Sequence, residues 1–325
     1  MDATTAERSS VSTPEHRLDL VPVRCPLCGE YEAEPVAVGN DLAEGTTPEC
    51  FLAVSCRGCG LVYLNPRPRR EERARFWPRA GTSAAQPGWR TPEARRIARE
   101  ALRLCGRLPG NARVLEVGYG ARLHLTELRD AAPSGWTFEG VTPHVELALA
   151  ARQAGFAVHE GDARVMEPLG LRYHAVLLLH ALECRESPVG ELTALRGLLA
   201  PGGRLIILSH NVESAVGRIF QGRHWAGYDF PRHLALLGPR VMPRLAEGAG
   251  LEMERLRTLG NSRIWARSAA NLLRDWNAPA WLNRWVDREA FPFGGLGRLA
   301  EGVSQRRGKG AVLAAMMRRR EESAR

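Results

Sequence analysis

Lysine, long apolar runs and a secretory signal are all scarce or missing in this sequence. Only one of the 45 basic residues, Lys309, is a lysine, and the arginines that dominate the net charge of +9 are dispersed. Because nucleic-acid surfaces concentrate basic residues in a patch or stripe, we do not expect a nucleic-acid partner. No apolar stretch approaches the ~18 residues that span a bilayer, and no basic start precedes an apolar core. We therefore expect a cytoplasmic protein without a transmembrane segment.

Disulfides are not expected either, because four of the seven cysteines form two C-x-x-C-G pairs: Cys25, Cys28, Cys56 and Cys59. In each pair the glycine relaxes a tight turn, and together the pairs supply the four sulfur ligands of a tetrahedral zinc site. A thioredoxin-like redox motif would explain only one pair and lacks its βαβ context. The spacing predicts a closed, structural Zn²⁺ site that stabilises a small zinc-ribbon module.

A strand, a glycine-containing turn and a helix follow one another near residue 115. The aliphatic run 113–117 includes Glu116, and Gly118 and Gly120 follow it. Glycines let the backbone turn sharply and approach a ligand, and open α/β sheets bind ligands at the carboxyl ends of their strands. Arg122 stands where a third glycine would be expected, so this turn alone is a weak signal.

The same alternation continues downstream. We predict strands at 136–141, 156–159, 173–179 and 204–209, with helices at 145–154 and 190–199. Strands of five to seven residues that alternate with helices are typical of a parallel, doubly wound α/β sheet. The last two strands lack polar alternation, as expected for strands covered on both faces.

Five motifs stand in a fixed order along the chain. They are VLEVGYG at 114–120, GD at 161–162, LLHALE at 178–183, LAPGGRL at 199–205 and WAGYDFPRHL at 225–234. This order resembles class I S-adenosylmethionine-dependent methyltransferases, which implies a Rossmann-like, doubly wound, mostly parallel seven-stranded sheet. The last motif is similar to a signature of one bacterial branch, whose members often carry a four-cysteine zinc module ahead of the methyltransferase domain.

The resemblance also assigns a cofactor site. The residues it implies for S-adenosylmethionine are Glu116, Gly118, Gly120, Thr142, Asp162, Ala163 and His180. Asp162 corresponds to an acid near adenine, and it would also serve as the N-cap of the helix that follows. Thr142 stands where an acid usually meets the ribose hydroxyls, and a threonine offers one hydrogen bond instead of a charged pair.

Several positions depart from the resembled family. Tyr119 and Arg122 replace small residues, His174 stands at a usual aspartate, and Cys184 stands at a usual histidine. Together with Thr142, these departures keep a second interpretation open, in which the chain is a divergent, non-methylating relative or a binding scaffold.

The segment 221–233 is rich in aromatic, histidine and charged residues and has no helical or strand period. Loops that follow strands in such sheets commonly carry function. Methyl transfer needs the acceptor to be positioned and its proton removed, and histidine titrates nearest neutral pH. We predict that the catalytic residues are His233, His224, Asp229 and Tyr228. A structural turn network built from Asp229, Arg232 and His233 is the alternative.

The remaining segments complete the predicted organisation. It comprises a disordered leader (1–20), the zinc-ribbon module (21–66), a linker with lid helices (67–110), the S-adenosylmethionine-binding domain (111–260), and a helical insertion with a final strand (261–325). Within 262–300 we expect two short helices that carry four tryptophans among arginines. Such a segment suits core or dimer packing, a cover over the acceptor, or peripheral contact with a membrane.

The function predicted from these features is methyl transfer from S-adenosylmethionine to a small-molecule acceptor of the sugar or natural-product type. A nucleic-acid methyltransferase that reads its substrate through the zinc module is a further alternative. The sequence contains no Asn/Asp-Pro-Pro-aromatic motif of the amino-methylating nucleic-acid enzymes, which disfavours that alternative. The oligomeric state is not predicted.

Overall fold

The computed structural model describes residues 18–77, 91–120, 122–287 and 293–320. The predicted disordered leader lies outside the described residues as far as position 17, and Leu20 already belongs to the first strand. Within the predicted linker, the sequence from Gly81 to Gly88 suggests a flexible loop, and this segment also lies outside the described residues.

Small antiparallel sheets form the N-terminal part of the structure. Their strands are β1 (Leu20–Val21), β2 (Ala33–Gly39), β3 (Phe51–Cys56), β4 (Val62–Leu64) and β5 (Arg67–Pro68). β2, β3 and β4 pair in succession, and β1 pairs with β5. A short 3-10 helix at Arg70–Phe76 follows. The sequence predicts strands at 34–38 and 51–55, between the two cysteine pairs, and these correspond to β2 and β3.

The rest of the chain alternates helices and strands. The first part contains α1 (Pro92–Cys105), β6 (Arg113–Val117), α2 (Leu125–Ala131), β7 (Thr137–Thr142), α3 (Val145–Gln153), β8 (Ala157–Glu160), β9 (Tyr173–Leu179), α4 (Pro188–Leu198) and β10 (Leu199–His210). The second part contains α5 (Ala215–Ile219), β11 (Ala235–Leu236), α6 (Met242–Gly248), β12 (Leu251–Leu259), α7 (Ser262–Asp275), α8 (Ala280–Asp287), α9 (Phe293–Arg306) and β13 (Val312–Arg319).

Seven of these strands form one sheet in the order β12-β13-β10-β9-β6-β7-β8. The pairs from β10 to β8 are parallel, and β13 runs antiparallel to both of its neighbours. The predicted α/β fold with a Rossmann-like, mostly parallel seven-stranded sheet is confirmed. The strand order reverses between β6 and β9, and sheets of this kind bind ligands at the carboxyl edge of such a switch point.

Burial explains why the central strands read as unbroken apolar runs. Every residue of β9 except His174 is buried, and residues 205–208 of β10 are buried as well. α1 covers one face through Ala98, Ala101 and Leu104. A threonine followed by a proline predicts a capped helix start here, and Thr91 does cap α1 by accepting a hydrogen bond from the Ala94 N–H at 3.0 Å.

β11 connects residues 225–234, which precede β11 in the chain, to the N-terminal sheet. Ala235 and Leu236 pair antiparallel with Tyr63 and Val62 of β4. The family resemblance implies a helix from Leu236 to Gly250, and this expectation is wrong at its start: Leu236 pairs with a distant strand, and the helix begins at Met242. The pairing fixes residues 225–234 beside the cysteine-containing module.

The region 262–300 contains three helices in the described residues, where two were predicted. Pro279 separates α7 from α8, as expected, but α7 is long and α9 continues to Arg306. Trp265 packs against Phe220, with ring centroids 6.2 Å apart, whereas three other tryptophans stay largely exposed: Trp276, Trp281 and Trp285. No helix of the described residues is long and apolar enough to cross a membrane.

Candidate functional site

A cavity of ≈ 380 Å³ opens at the carboxyl ends of β6, β9 and β10, beside the switch point of the sheet. The first half of α1, the turn after β6 and the ends of β9 and β10 line it. Residues 40–44, the segment 223–233 and α7 complete its wall. Its size lies in the range of small-molecule sites, which are about 300–1,000 Å³.

The turn after β6 is held together by its own residues. The Glu116 carboxylate accepts the His124 backbone N–H at 2.7 and 2.9 Å and lies 2.8 Å from His124 Nδ1. A Cβ on Gly118 would lie 2.5 Å from Leu123 Cδ2, so any side chain there would have to displace the end of the Leu123 side chain. Gly120 lines the cavity, whereas Glu116 and Gly118 stand behind its wall.

The residues predicted for the ribose and adenine do not line this cavity. Thr142 is fully buried, and its hydroxyl accepts the His144 N–H at 3.3 Å. Asp162 accepts the Arg164 N–H at 3.0 Å and so caps the short helix after it, as predicted. Internal hydrogen bonds therefore engage both side chains.

Tyr119 occupies the space between these residues and α4. Its hydroxyl donates to Glu191 Oε1 at 2.6 Å and accepts the Ala163 N–H at 3.2 Å, while the Arg185 guanidinium lies 3.9 Å from the ring centroid. Burial and the Glu191 charge raise the pKa of Tyr119, so the phenol stays protonated at neutral pH. Tyr119 thus engages the backbone amide of Ala163, one of the residues that the resemblance assigns to the cofactor.

Three histidines and one carboxylate meet at the other end of the cavity. The rings of His180 and His210 lie 4.5 Å apart, and those of His210 and His233 lie 5.2 Å apart. Glu183 is fully buried behind them, and its Oε1 accepts the His210 backbone N–H at 2.8 Å. Burial lowers the pKa of His210 to about 4, and the neighbouring His180 adds to this effect. All three histidines line the cavity.

The orientation of His233 follows from one hydrogen bond. Its Nδ1 lies 2.8 Å from the Gly227 carbonyl oxygen, which can only accept, so Nδ1 carries the proton. The neutral ring therefore has its lone pair on Nε2, the form that a general base requires.

Arg232 ties the segment 223–233 to the N-terminal sheets. Its guanidinium donates to Asp41 at 2.7 and 3.0 Å, to Asp229 at 2.8 and 3.1 Å, and to the Phe76 carbonyl at 3.1 Å. Burial raises the pKa of both carboxyl groups, but Arg232 outweighs it and holds both below their usual range. We call Asp41, Arg232 and Asp229 the carboxylate–arginine network.

The predicted catalytic residues have different surroundings. Tyr228, Asp229 and His233 line the cavity. The Tyr228 ring stacks on Phe230 at 5.1 Å between centroids. His224 does not line the cavity, and its Nε2 lies 3.0 Å from Asp275 Oδ2.

Positive charge predominates in the cavity wall. The arginines that line it are Arg122, Arg223, Arg232, Arg263, Arg267 and Arg274. The carboxylates that line it are Glu44, Glu93 and Asp229. Among the described residues, Arg267 has no carboxylate oxygen within 4 Å of its guanidinium. The wall therefore favours an anionic ligand.

The cysteine pairs form a separate cluster in the N-terminal sheets. Cys25 and Cys59 have sulfurs 3.5 Å apart, those of Cys28 and Cys56 are 3.4 Å apart, and all four lie within 4.8 Å of one another. Sulfurs around a tetrahedral zinc, at about 2.3 Å each, are separated by about 3.8 Å. Gly29 and Gly60 both have φ +76°, so the two knuckles share the left-handed turn for which glycine was predicted. The cluster is compatible with zinc.

Sequence reasoning did not assign His210, Glu183 or Asp41 to the site. His210 ends a strand at the ligand-binding edge, and Glu183 lies in one of the recognised motifs, so both carried a signal. Asp41 carried none, because its partner Arg232 is 191 positions away along the chain.

The fold and the site together define an α/β protein with a ligand cavity at the switch point of its sheet. The profile of a family described as "Methyltransferase domain" matches residues 89–256, just over half of the chain. The chain therefore belongs to this methyltransferase family. A comparison with curated proteins finds no match.

Similar solved structures include a chain from the complex between the Haloferax volcanii Trm112 methyltransferase activator and a methyltransferase. Its identity is 18% and its TM-score is 0.46, and the match covers 68% of this chain and 89% of that one. For an S-adenosylmethionine-dependent methyltransferase from Thermotoga maritima, the identity is 19%, the TM-score is 0.43, and the two coverages are 70% and 92%. For mitomycin 7-O-methyltransferase they are 15%, 0.45, 70% and 54%. Similarity at this level concerns the fold alone.

Proposed function

We propose that this protein transfers a methyl group from S-adenosylmethionine to a small acidic acceptor. The observation that carries the proposal is the cavity at the switch point, which brings Gly120 of the first motif together with His233 of the last. Those residues are 113 positions apart in sequence, and only the fold places them around one space. The family match supports the same reaction class.

Part of the expected cofactor site lies at the cavity, and part lies outside its lining. When bound, S-adenosylmethionine supplies an electrophilic methyl group on a sulfonium. Gly120 and His180, both in the cavity wall, would hold its methionine end. At the adenosine end, the Tyr119 hydroxyl already binds the Ala163 N–H at 3.2 Å, so adenine would have to replace that hydrogen bond.

His233 is the best general base in this arrangement. Its Nδ1–H donates to the Gly227 carbonyl, so the neutral ring would take a proton from an acceptor hydroxyl or amine at Nε2. The Asp229 carboxylate, 3.9 Å from Nε2, would stabilise the imidazolium that forms. The carboxylate–arginine network holds the segment that carries His233, which keeps the ring in one orientation. Tyr228 and Phe230 would provide an apolar wall beside it.

The charge of the wall supports an acceptor with a carboxylate or phosphate group. Arginine guanidinium groups pair with such groups through two parallel hydrogen bonds. Arg267 is the strongest candidate, because it lines the cavity without a close carboxylate among the described residues. A sugar or natural product with one anionic group would satisfy these features, whereas an intact nucleic-acid duplex would not enter a cavity of ≈ 380 Å³.

The zinc module is structural in this proposal. Four thiolates would complete the coordination of Zn²⁺ and leave no position for a substrate. The module would act through β11 and through Asp41, both of which position the segment 225–234.

A non-methylating binding protein is the second candidate. It is favoured by the internal hydrogen bonds of Glu116, Thr142 and Tyr119, which engage positions expected to meet the cofactor. Such a protein would bind a small anion in the arginine-lined cavity and would not bind S-adenosylmethionine.

Release of S-adenosylhomocysteine from S-adenosylmethionine tests the proposal, because it reports turnover with any acceptor. We expect release with members of a panel of acidic sugars and natural products, and little release with their uncharged analogues. Gly118→Arg should abolish turnover, because even a Cβ there would lie 2.5 Å from Leu123 Cδ2. Gly197→Arg is the matched control, since Gly197 is exposed and a Cβ there would have open space around it.

Turnover that is equal in Gly118→Arg and the parent protein would contradict the assignment of the glycine turn. Release that depends on uncharged acceptors alone would contradict the acidic acceptor while leaving methyl transfer in place. Tight binding of panel members without binding of S-adenosylmethionine would favour the second candidate.

A further inference from the structure

We propose that His180, Glu183 and His210 form a binding site for a divalent transition-metal ion at the wall of the cavity. This site is separate from the cysteine cluster and differs from it in chemistry, with two imidazoles and one carboxylate in place of four thiolates. Two histidines and a carboxylate on one side of an ion, with the other positions open, are a ligand set suited to Fe²⁺, Co²⁺ and related ions.

The three side chains already converge on one point. Each of them offers a ligand atom, and these atoms all lie within 4.8 Å of one another. The Nδ1 atoms of His180 and His210 lie 3.7 and 3.3 Å from Glu183 Oε1. Ligands about 2.1 Å from a common ion are separated by about 3.0–3.4 Å in octahedral or tetrahedral geometry. Small side-chain adjustments would therefore complete the site.

Two polar atoms in this group lack partners. His180 Nδ1 and Glu183 Oε2 are buried and make no hydrogen bond to any residue that the structure describes. Buried polar atoms are nearly always hydrogen-bonded, so an atom that is not calls for a missing partner. A cation would satisfy both at once, because an ionised carboxylate can only accept and so can the unprotonated nitrogen of a neutral imidazole, which is Nδ1 of His180 when Nε2 carries the proton.

The backbone also holds His180 in an uncommon conformation. Its φ is +55°, in the left-handed region that few residues other than glycine adopt. Strained conformations of this kind concentrate at functional sites, where the surrounding structure enforces them. Here the strain turns a histidine toward the buried Glu183 at the end of β9, directly after the buried Leu179.

The open side of the site faces the cavity. His180 and His210 line the cavity, while Glu183 lies behind them and is fully buried. An ion held by all three groups would therefore have its remaining positions toward the cavity, where water or an oxygen of a ligand could bind. The hydrogen bond from the His210 N–H to Glu183 Oε1 would orient the carboxylate.

Titration with Co²⁺ tests this proposal, because its visible absorption distinguishes nitrogen and oxygen ligands from thiolates. Full-length protein is first loaded with one equivalent of zinc, and its zinc content is measured. We expect one further equivalent of Co²⁺ to bind, with weak ligand-field bands and without the intense thiolate charge-transfer band. Zinc should stay bound during the titration.

The variants Glu183→Gln, His210→Gln and His180→Asn should each weaken Co²⁺ binding more than tenfold. Asparagine tolerates the left-handed backbone at position 180, so His180→Asn removes the ligand with little cost to the fold. His224→Gln is the matched control and should bind Co²⁺ like the parent, because His224 lies outside the cluster.

The proposal would be overturned if folded, zinc-loaded protein binds no Co²⁺ and its thermal midpoint is the same with and without Co²⁺. The three side chains would then be a buried ion-pair network. Equal binding by parent and His180→Asn would overturn it as well. The site does not depend on the proposed methyl transfer, because its test measures metal binding and not turnover.

Discussion

Replacement of Arg232 by methionine should destabilise the protein strongly. The Arg232 side chain is 2% exposed, and its partner Asp41 is 0% exposed, so the change leaves a buried carboxylate without its cation. Removal of one partner from a buried ion pair costs about 3–5 kcal/mol. At about 2–4 °C per kcal/mol for domains of 150–250 residues, the midpoint of thermal unfolding should fall by about 6–20 °C.

Far-UV circular dichroism of zinc-loaded protein measures that midpoint. Arg240→Met is the matched control, because Arg240 is 81% exposed in its pair with Glu213 and such pairs contribute about 1 kcal/mol or less. Asp41→Asn added to Arg232→Met should recover part of the loss, since it removes the stranded charge. A fall of about 2 °C corresponds to a loss of only about 1 kcal/mol or less. A midpoint for Arg232→Met that lies within about 2 °C of the parent would therefore refute the reasoning.

Three further outcomes are expected. Acid should destabilise the parent more than Arg232→Met. Because the network lowers the pKa of Asp41 and Asp229, its contribution to stability is complete above pH ~4 and is lost as the pH falls. Thermal unfolding midpoints at several pH values would show this difference. Cys28→Ser should lose zinc in a metal assay, whereas Cys50→Ser should retain one equivalent. Tyr119→Phe should tighten S-adenosylmethionine binding several-fold in calorimetry by freeing the Ala163 N–H; weaker binding would contradict the competition inferred there.

Local patterns made the fold predictable. The apolar run of β9 was predicted at its observed bounds because a strand buried on both faces needs no polar alternation. The cysteine pairs were recognised because their spacing and the glycines that follow are properties of a few adjacent residues. The cap at Thr91 likewise depends on the next three residues alone.

Contacts between distant residues were beyond the same reasoning. Nothing near Leu236 indicates that it pairs with β4, and the family resemblance implied a helix there. The engagement of the Ala163 amide by Tyr119 depends on Glu191, 72 positions further along. The hydrogen bond that occupies the Ala163 amide and the cluster of histidines around Glu183 both arise from such contacts. The sequence therefore indicated the reaction class better than the arrangement of side chains in the site.

Calorimetric titration of zinc-loaded protein with S-adenosylmethionine and S-adenosylhomocysteine tests the central proposal most directly. Methyl transfer predicts micromolar binding of either compound to one site, and loss of that binding in Gly118→Arg but not in Gly197→Arg. The absence of binding in protein that is folded and holds its zinc would contradict methyl transfer and favour the second candidate, a non-methylating binding protein.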